Sequence, residues 1–445
     1  MLINILNNQN PNRCIWIEPD DRNIFIADIL RETNLVRQRF QSIYRKRVAI
    51  RCNYAPNTAR CLIALDGFCL EIVLIHSGIL DNEANNIIAQ FGPDIVLTDN
   101  DFLTNQNIKI DNKIPFSTNS EVSTQWIIPT SGTTGIPKLI SHDLNSLIST
   151  VKPATHSSPK RWGLVYGISR FAGLQVFLQS LLGEGILLFP DITKSITDVI
   201  TFLVNHECNV LSATPTFWRK ILMSPVSSKL NLRQITLGGE IVDQTVLNLL
   251  HRNYPAARLT HIYALTEVGV GFSVNDGLAG FPVSWIDTGV NGVRLKIKDK
   301  CLWIKTHERA LNKSDSSMVE IDDSGFKNTG DQVIIIDNRV YFLGRSNGAI
   351  NVGGNKVLPE EVEQVLLSYP NVIMAVVKGK KNPFSGQVVT AEVVLSQQIT
   401  KSQEIENAIL VFCRERLEPY KVPAIIKIID HIDINESCKI SRRQK

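Results

Sequence analysis

Alternation of strand-like and helix-like segments constrains this chain more than any other feature. Short apolar runs at 48–50, 94–98, 185–189, 208–211, 233–237 and 259–263 have strand length. Between them, 58–68, 173–182, 195–205 and 243–251 carry apolar residues at helical spacing, and 23–40 reads as a strand followed by an amphipathic helix. Parallel neighbours cannot be joined by a tight turn and need a crossover, usually a helix. Repeated strand–helix units therefore predict parallel sheets layered with helices, an α/β fold. From 289 the texture changes to short strands with polar turns (293–297, 302–305, 332–336, 340–343), which suits a small β subdomain. A third texture follows Gly344 and Arg345: a helix at 359–367 opened by Pro359, Glu360 and Glu361, strands at 372–377, 388–395 and 425–429, and a helix at 402–417. Proline at the first helical position and acidic residues in the first turn suit a helix N-terminus. The expected organisation is a large N-terminal domain, 1–344, and a small α+β C-terminal domain, 345–445.

Bulk properties narrow the function. A chain of 445 residues is too long for one small core. Its net charge of +4 is too small to argue for nucleic acid, and the basic cluster at 439–445 contains no aromatic residue. No apolar run approaches a membrane span, and residues 1–6 lack a basic leader and signal-length apolar core. Eight cysteines without C-x-x-C spacing indicate neither a disulfide framework nor a zinc site. The expectation is a cytoplasmic protein with no nucleic-acid partner and no membrane span.

The densest chemistry lies in Thr130, Ser131, Gly132, Thr133, Thr134, Gly135, Ile136, Pro137 and Lys138. Glycines let backbone N–H groups turn toward an anion, hydroxyls add donors, and the lysine brings a mobile positive charge. The familiar P-loop requires lysine directly after glycine. Here Pro137 intervenes, and Leu139 and Ile140 read as a second strand, so the loop is expected to join two strands and close over a nucleotide triphosphate. Further motifs follow in order. Gly238-Gly239-Glu240 ends a strand, where an open α/β sheet offers its ligand crevice. Tyr263-Ala264-Leu265-Thr266-Glu267 ends the next strand, and Thr329-Gly330-Asp331 offers a carboxylate on a tight turn. Then come Gly344-Arg345, the segment from Ile350 through Gly353 and Gly354 to Glu363, the run from Leu417 to Pro423, and Cys438-Lys439.

This ordered set resembles the adenylate-forming superfamily: acyl- and aryl-CoA ligases, carrier-protein adenylation domains and luciferase-like enzymes. The resemblance runs from about residue 23 to 445 and is strongest after Trp126. It implies ATP and Mg²⁺ as cofactors, a small carboxylic acid as substrate, and a thiol acceptor that is coenzyme A or the phosphopantetheine of an acyl carrier protein. It also implies that the C-terminal domain is mobile. The 130–138 loop would grip the β- and γ-phosphates; Thr266 would touch the α-phosphate and Glu267 would hold the metal. Asp331 would accept hydrogen bonds from the ribose hydroxyls, with Arg345 nearby. Gly238, Gly239 and Tyr263 would flank adenine, with Glu240 in the same nucleotide site. Lys439 would reach over with the small domain to bridge the carboxylate and α-phosphate. The domain would turn about Asn347 between half-reactions, bringing Gly353 and Gly354 to the thiol tunnel.

The chemistry suits those residues. A carboxylate is a poor electrophile until one oxygen becomes a good leaving group, and attack on the α-phosphorus of ATP achieves this. Two anions must meet, so the site's work is positioning and charge compensation. The acyl pocket is less legible: Arg170 and Phe171 stand where relatives carry a histidine or aromatic, and Arg170 suits a second carboxylate, an anionic thiol donor or plain solvent. Trp218 and Phe272 are further candidates for pocket walls. Cys438 replaces the family's usual glycine and Asn347 its usual aspartate. The leading expectation is an acyl- or aryl-CoA ligase. Two alternatives are a stand-alone enzyme loading a carrier protein and a catalytically lapsed nucleotide-binding homologue.

Overall fold

The computed structural model describes residues 1–103, 122–130, 137–151, 159–306, 320–396 and 402–432. Two parallel-rich sheets build the front of the molecule. In the larger, eight strands run in the order Gly269–Val274, Arg258–Leu265, Gln234–Gly238, Val210–Ala213, Arg161–Leu164, Ile186–Leu188, Cys14–Ile17 and Asn23–Phe25. All neighbours pair parallel except the two edge strands. The second sheet orders Ile95–Leu97, Arg47–Ile50, Glu71–Leu74, Gln125–Thr130 and Lys138–His142, with only the last pair antiparallel. One apolar core joins them. Trp16, Leu164 and Leu187 of the first sheet and Ile50, Leu74 and Trp126 of the second belong to it, with the helices Ala55–Leu65 and Phe171–Leu182. Ten consecutive residues of the first helix, 56–65, are buried. A helix buried on every face belongs in the middle of a layered domain, as alternation predicts.

A third, antiparallel sheet of five strands includes Cys301–Lys305, Lys327–Ile336 and Arg339–Arg345. The chain leaves it at Arg345, passes a short turn at Ser346–Gly348 and enters the fourth sheet at Ile350–Val352. That sheet carries the long hairpin of Val372–Asn382 and Gly386–Leu395, backed by the helices Pro359–Ser368 and Gln403–Arg414.

Several elements differ from the sequence expectation. Strands at Cys14–Ile17, Glu71–Leu74, Arg161–Leu164 and Gly269–Val274, and helices at Asp81–Phe91 and Pro215–Met223, went unread. Thr329-Gly330-Asp331 lies within a ten-residue strand and not on a tight turn. Gly330 has φ +72° there, and the pairing with Cys301–Lys305 slips across 329–331, so the glycine makes a bulge that re-aims Asp331. Among the described residues, no helix is long and apolar enough to cross a membrane, and the seven cysteines form no disulfide.

Candidate active site

Five parallel strands end at one cleft of about 930 Å³. Beyond Leu74 lies His76, Gln125–Thr130 ends in Thr130, beyond Leu164 come Tyr166 and Arg170, beyond Gly238 come Gly239 and Glu240, and beyond Leu265 come Thr266 and Glu267. This is the C-terminal edge of parallel sheet, the place where such folds bind ligands. The third sheet adds Asp331, Phe342 and Arg345, and the C-terminal region adds Glu363, Gln364 and Met374.

Asp331 is the best-defined group. It is 9% exposed and cross-strand from Arg345. Tyr263 Oη donates to its Oδ2 at 2.6 Å, and Arg345 Nε donates to its Oδ1 at 2.9 Å. Burial first, then the Asp331 charge, pushes the Tyr263 hydroxyl well above its ordinary pKa, so it remains a donor. Burial alone would lower Arg345, but Asp331, Tyr263 and Glu267 outweigh it and hold the guanidinium charged. Tyr263, expected to flank adenine, lines the cleft with its ring already packed against two others. Its ring is stacked on Phe272 (centroids 5.1 Å) and on Phe342 (4.9 Å), so the ring edge and hydroxyl are what it offers the cleft.

The loop after Gln234–Gly238 is also more occupied than expected. Gly239 takes φ +83°, which needs glycine. The Gly238 carbonyl accepts from Tyr166 Oη at 3.2 Å, and Gly238 itself does not line the cleft. Glu240 Oε2 accepts the Thr216 N–H at 3.0 Å, capping the first turn of the Pro215–Met223 helix. Thr266 and Glu267 sit in the turn between Arg258–Leu265 and Gly269–Val274 and face the cleft. Among the described residues, no group of three metal-ligating side chains converges. Glu267 offers one hard oxygen ligand, which fits a Mg²⁺ that draws the rest of its shell from phosphates and water.

The hydroxyl- and glycine-rich loop does join two antiparallel strands, with Thr130 opposite Lys138. Thr130 and Pro137 line the cleft, while Lys138 is half-buried and does not. Ser131, Gly132, Thr133, Thr134 and Gly135, and also Lys439, lie outside the described residues. Gly353 and Gly354 are exposed in the turn between Ile350–Val352 and Asn355–Val357, away from the cleft, and Asn347 is exposed at Ser346–Gly348.

At the other end of the cleft, Arg170 stands at the N-cap position of the Phe171–Leu182 helix without a side-chain cap bond, and the Phe171 and His142 ring centroids are 5.7 Å apart. Phe272 lines the cleft, whereas Trp218 is plain core, fully buried with its Nε1 donating to Thr236 O at 3.1 Å. Sequence reasoning missed His76. Its Nδ1 accepts the Gly78 N–H at 3.0 Å, so the neutral ring carries its proton on Nε2. Burial, then the Arg170 charge, lowers its pKa to about 4. A Cβ at Gly167 would stand 2.3 Å from His76 Nε2, so only glycine admits this approach. Nothing in the sequence marks a single histidine after an apolar strand as part of a site.

The family model for AMP-binding enzymes matches residues 59–301, and that for the AMP-binding enzyme C-terminal domain matches 361–439. The chain is 28% identical over 346 residues to the 2-succinylbenzoate–CoA ligase of Bacillus velezensis, covering 72% of this chain and 68% of that protein. An anthranilate CoA ligase in complex with anthranoyl-AMP superposes with a TM-score of 0.77 at 17% identity, over 99% of this chain and 95% of that one. The o-succinylbenzoate CoA synthetase of Bacillus subtilis, in complex with its acyl-adenylate, gives 0.72 at 20% identity over 99% and 96%. These likenesses carry the fold. The family-model match over 59–301 spans more than half the sequence, and on it the chain belongs to the AMP-binding enzymes.

Proposed function

We propose that this protein adenylates a carboxylic acid with ATP and transfers the acyl group to the thiol of coenzyme A. The observation that carries the reading is that Thr266, Glu267, Asp331 and Arg345, from two different sheets, meet at one strand-edge cleft. In the first step a carboxylate oxygen attacks the α-phosphorus, the α–β P–O bond breaks and pyrophosphate leaves. Asp331, fixed by Tyr263 and Arg345, would accept from the ribose hydroxyls. Thr266 would donate to the α-phosphate and the 130–138 loop would hold the departing anion. Mg²⁺, when held at Glu267, neutralises charge on the phosphate oxygens. Lys439 would bring an ammonium to the reacting oxygens. In the second step the small lobe turns about Asn347, and Gly353 and Gly354 admit the thiol. Its sulfur attacks the acyl carbonyl, the bond to phosphate breaks, AMP leaves and the thiol proton passes to solvent.

For the acid, the name of the Bacillus velezensis relative points to an aromatic acid with a second carboxylate. Arg170, beside the neutral donor His76, is the group suited to that second charge. The test is ATP–pyrophosphate exchange with a panel of acids, followed by acyl transfer to coenzyme A or to a carrier protein. Exchange with one or a few acids and transfer to coenzyme A are expected. Transfer to carrier protein alone would overturn the acceptor, and nucleotide binding without exchange for any acid would overturn the reaction.

A further inference from the structure

The Pro215–Met223 helix carries Arg219 to the seam between the large lobe and the fourth sheet. Its guanidinium is 3% exposed and holds two partners from opposite sides of that seam. Nη2 pairs with Asp243 Oδ2 at 2.5 Å, and Nη1 donates to the carbonyl of Ile373 at 3.0 Å. Ile373 is the second residue of the Val372–Asn382 strand in the small lobe. Asp243 Oδ1 accepts the Val246 N–H at 3.0 Å and caps the Gln244–Asn253 helix. The same helix that bears Arg219 is capped by Glu240 through Thr216. One helix therefore holds the 239–243 loop at its start and the small lobe one turn later. A planar fork with several donors suits a carboxylate and a carbonyl together, which a lysine ammonium on its flexible stem does not reproduce.

Among the described residues, other links cross the seam as well. Met223 packs on a cluster of Met374, Val376, Val394 and Ile432, Gln364 Nε2 donates to Phe342 O at 3.0 Å, and Thr245 Oγ1 lies 3.4 Å from Leu367 O. In this seating the small lobe presents Glu363, Gln364, Met374 and Ala375 to the cleft, whereas Gly353 and Gly354 face solvent. The thiol-side glycines are thus turned away while Arg219 is engaged.

Resting on the two-step reaction proposed above, we infer that Arg219 is a positioning residue that seats the small lobe for adenylation. When the lobe turns for thiol transfer, the Ile373 carbonyl leaves and Asp243 keeps the guanidinium compensated. The test uses full-length Arg219→Lys and Arg219→Gln proteins with the acid that wild type accepts. Pyrophosphate exchange reads the first step; thioester formation from supplied acyl-adenylate and coenzyme A reads the second. Exchange should fall about tenfold in Arg219→Gln, the scale of one lost charged hydrogen bond. Thioester formation from the supplied adenylate should be unchanged or faster. Arg219→Lys keeps a cation for Asp243 and should show the same skew, more weakly, at an unaltered melting temperature; it carries the test should Arg219→Gln not fold. Equal loss in both steps, or loss in neither, overturns the inference. Wild-type protein that exchanges with no acid refutes the reaction itself, a result distinct from normal exchange in both variants.

Discussion

Replacing Asp331 by Asn isolates the charge at the nucleotide site without altering shape. Each carboxylate oxygen of Asp331 now accepts one protein hydrogen bond, at 2.6 and 2.9 Å, and keeps a lone pair for a ribose hydroxyl. In the variant one oxygen becomes an NH₂ donor. Arg345 Nε can only donate, so the amide oxygen turns to it, and the NH₂ faces the Tyr263 hydroxyl, which can accept. The fold therefore survives, but the ribose loses one acceptor and the remaining bond loses its charge. Charged hydrogen bonds contribute about 1.5–3 kcal/mol and neutral ones about 0.5–1.5, so ATP binding should weaken by about 2–3 kcal/mol, roughly 30–150-fold. Calorimetric titration at fixed salt with ATP and with its 2′,3′-dideoxy analogue measures this. Wild type should lose affinity for the analogue, and Asp331→Asn should lose little more. A folded variant that binds ATP within twofold of wild type would refute the ribose role.

Three further outcomes follow from the same geometry. Tyr263→Phe keeps the stack on Phe272 and Phe342 and removes only the donor to Asp331, so ATP affinity should fall by about 1 kcal/mol; unchanged affinity would mean that the ring alone matters. Arg170→Leu should raise KM about tenfold or more for an acid with a second carboxylate while sparing its monoester, the scale of one charged hydrogen bond; equal effects on both would remove Arg170 from substrate recognition. His76 makes stability depend on pH. Its folded pKa, about 4, lies below the unfolded value, so between about 6.5 and 4 the unfolded chain binds a proton that the folded one refuses. Stability should be flat above pH 7 and decline as pH falls through that window, by up to about 3 kcal/mol from this residue. Urea denaturation across pH should show a shallower decline in His76→Gln, and an identical slope would contradict the assignment.

The sequence was legible where local chemistry and period agree. Apolar runs of three to five residues separated by helical spacing gave the parallel sheets, and Pro137 followed by Leu139 and Ile140 correctly marked a hairpin return. Two kinds of feature were not legible. Strands such as Glu71–Leu74 and Arg161–Leu164 run on into apolar neighbours (Leu70 and Ile75, Val165 and Tyr166), so the local pattern does not mark their ends and their extent comes from pairing in the sheet. Contacts between distant segments were also hidden. Gly330 looked like a turn glycine because a bulge needs the same positive φ, and only the cross-strand pairing tells them apart. The rings packed on Tyr263 were hidden, because Phe272 and Phe342 approach it from 9 residues and 79 residues away along the chain. Glu240 lines the cleft, but that its carboxylate also caps a helix 24 residues upstream could not be seen from local sequence.

The most direct measurement is a crystal structure of the protein with ATP, Mg²⁺ and an acid that supports exchange. The account predicts the ribose on Asp331, the metal on Glu267, the α-phosphate within reach of Thr266, and the acid between that phosphate and Arg170. A nucleotide bound elsewhere, with Asp331 and Glu267 untouched, would contradict it.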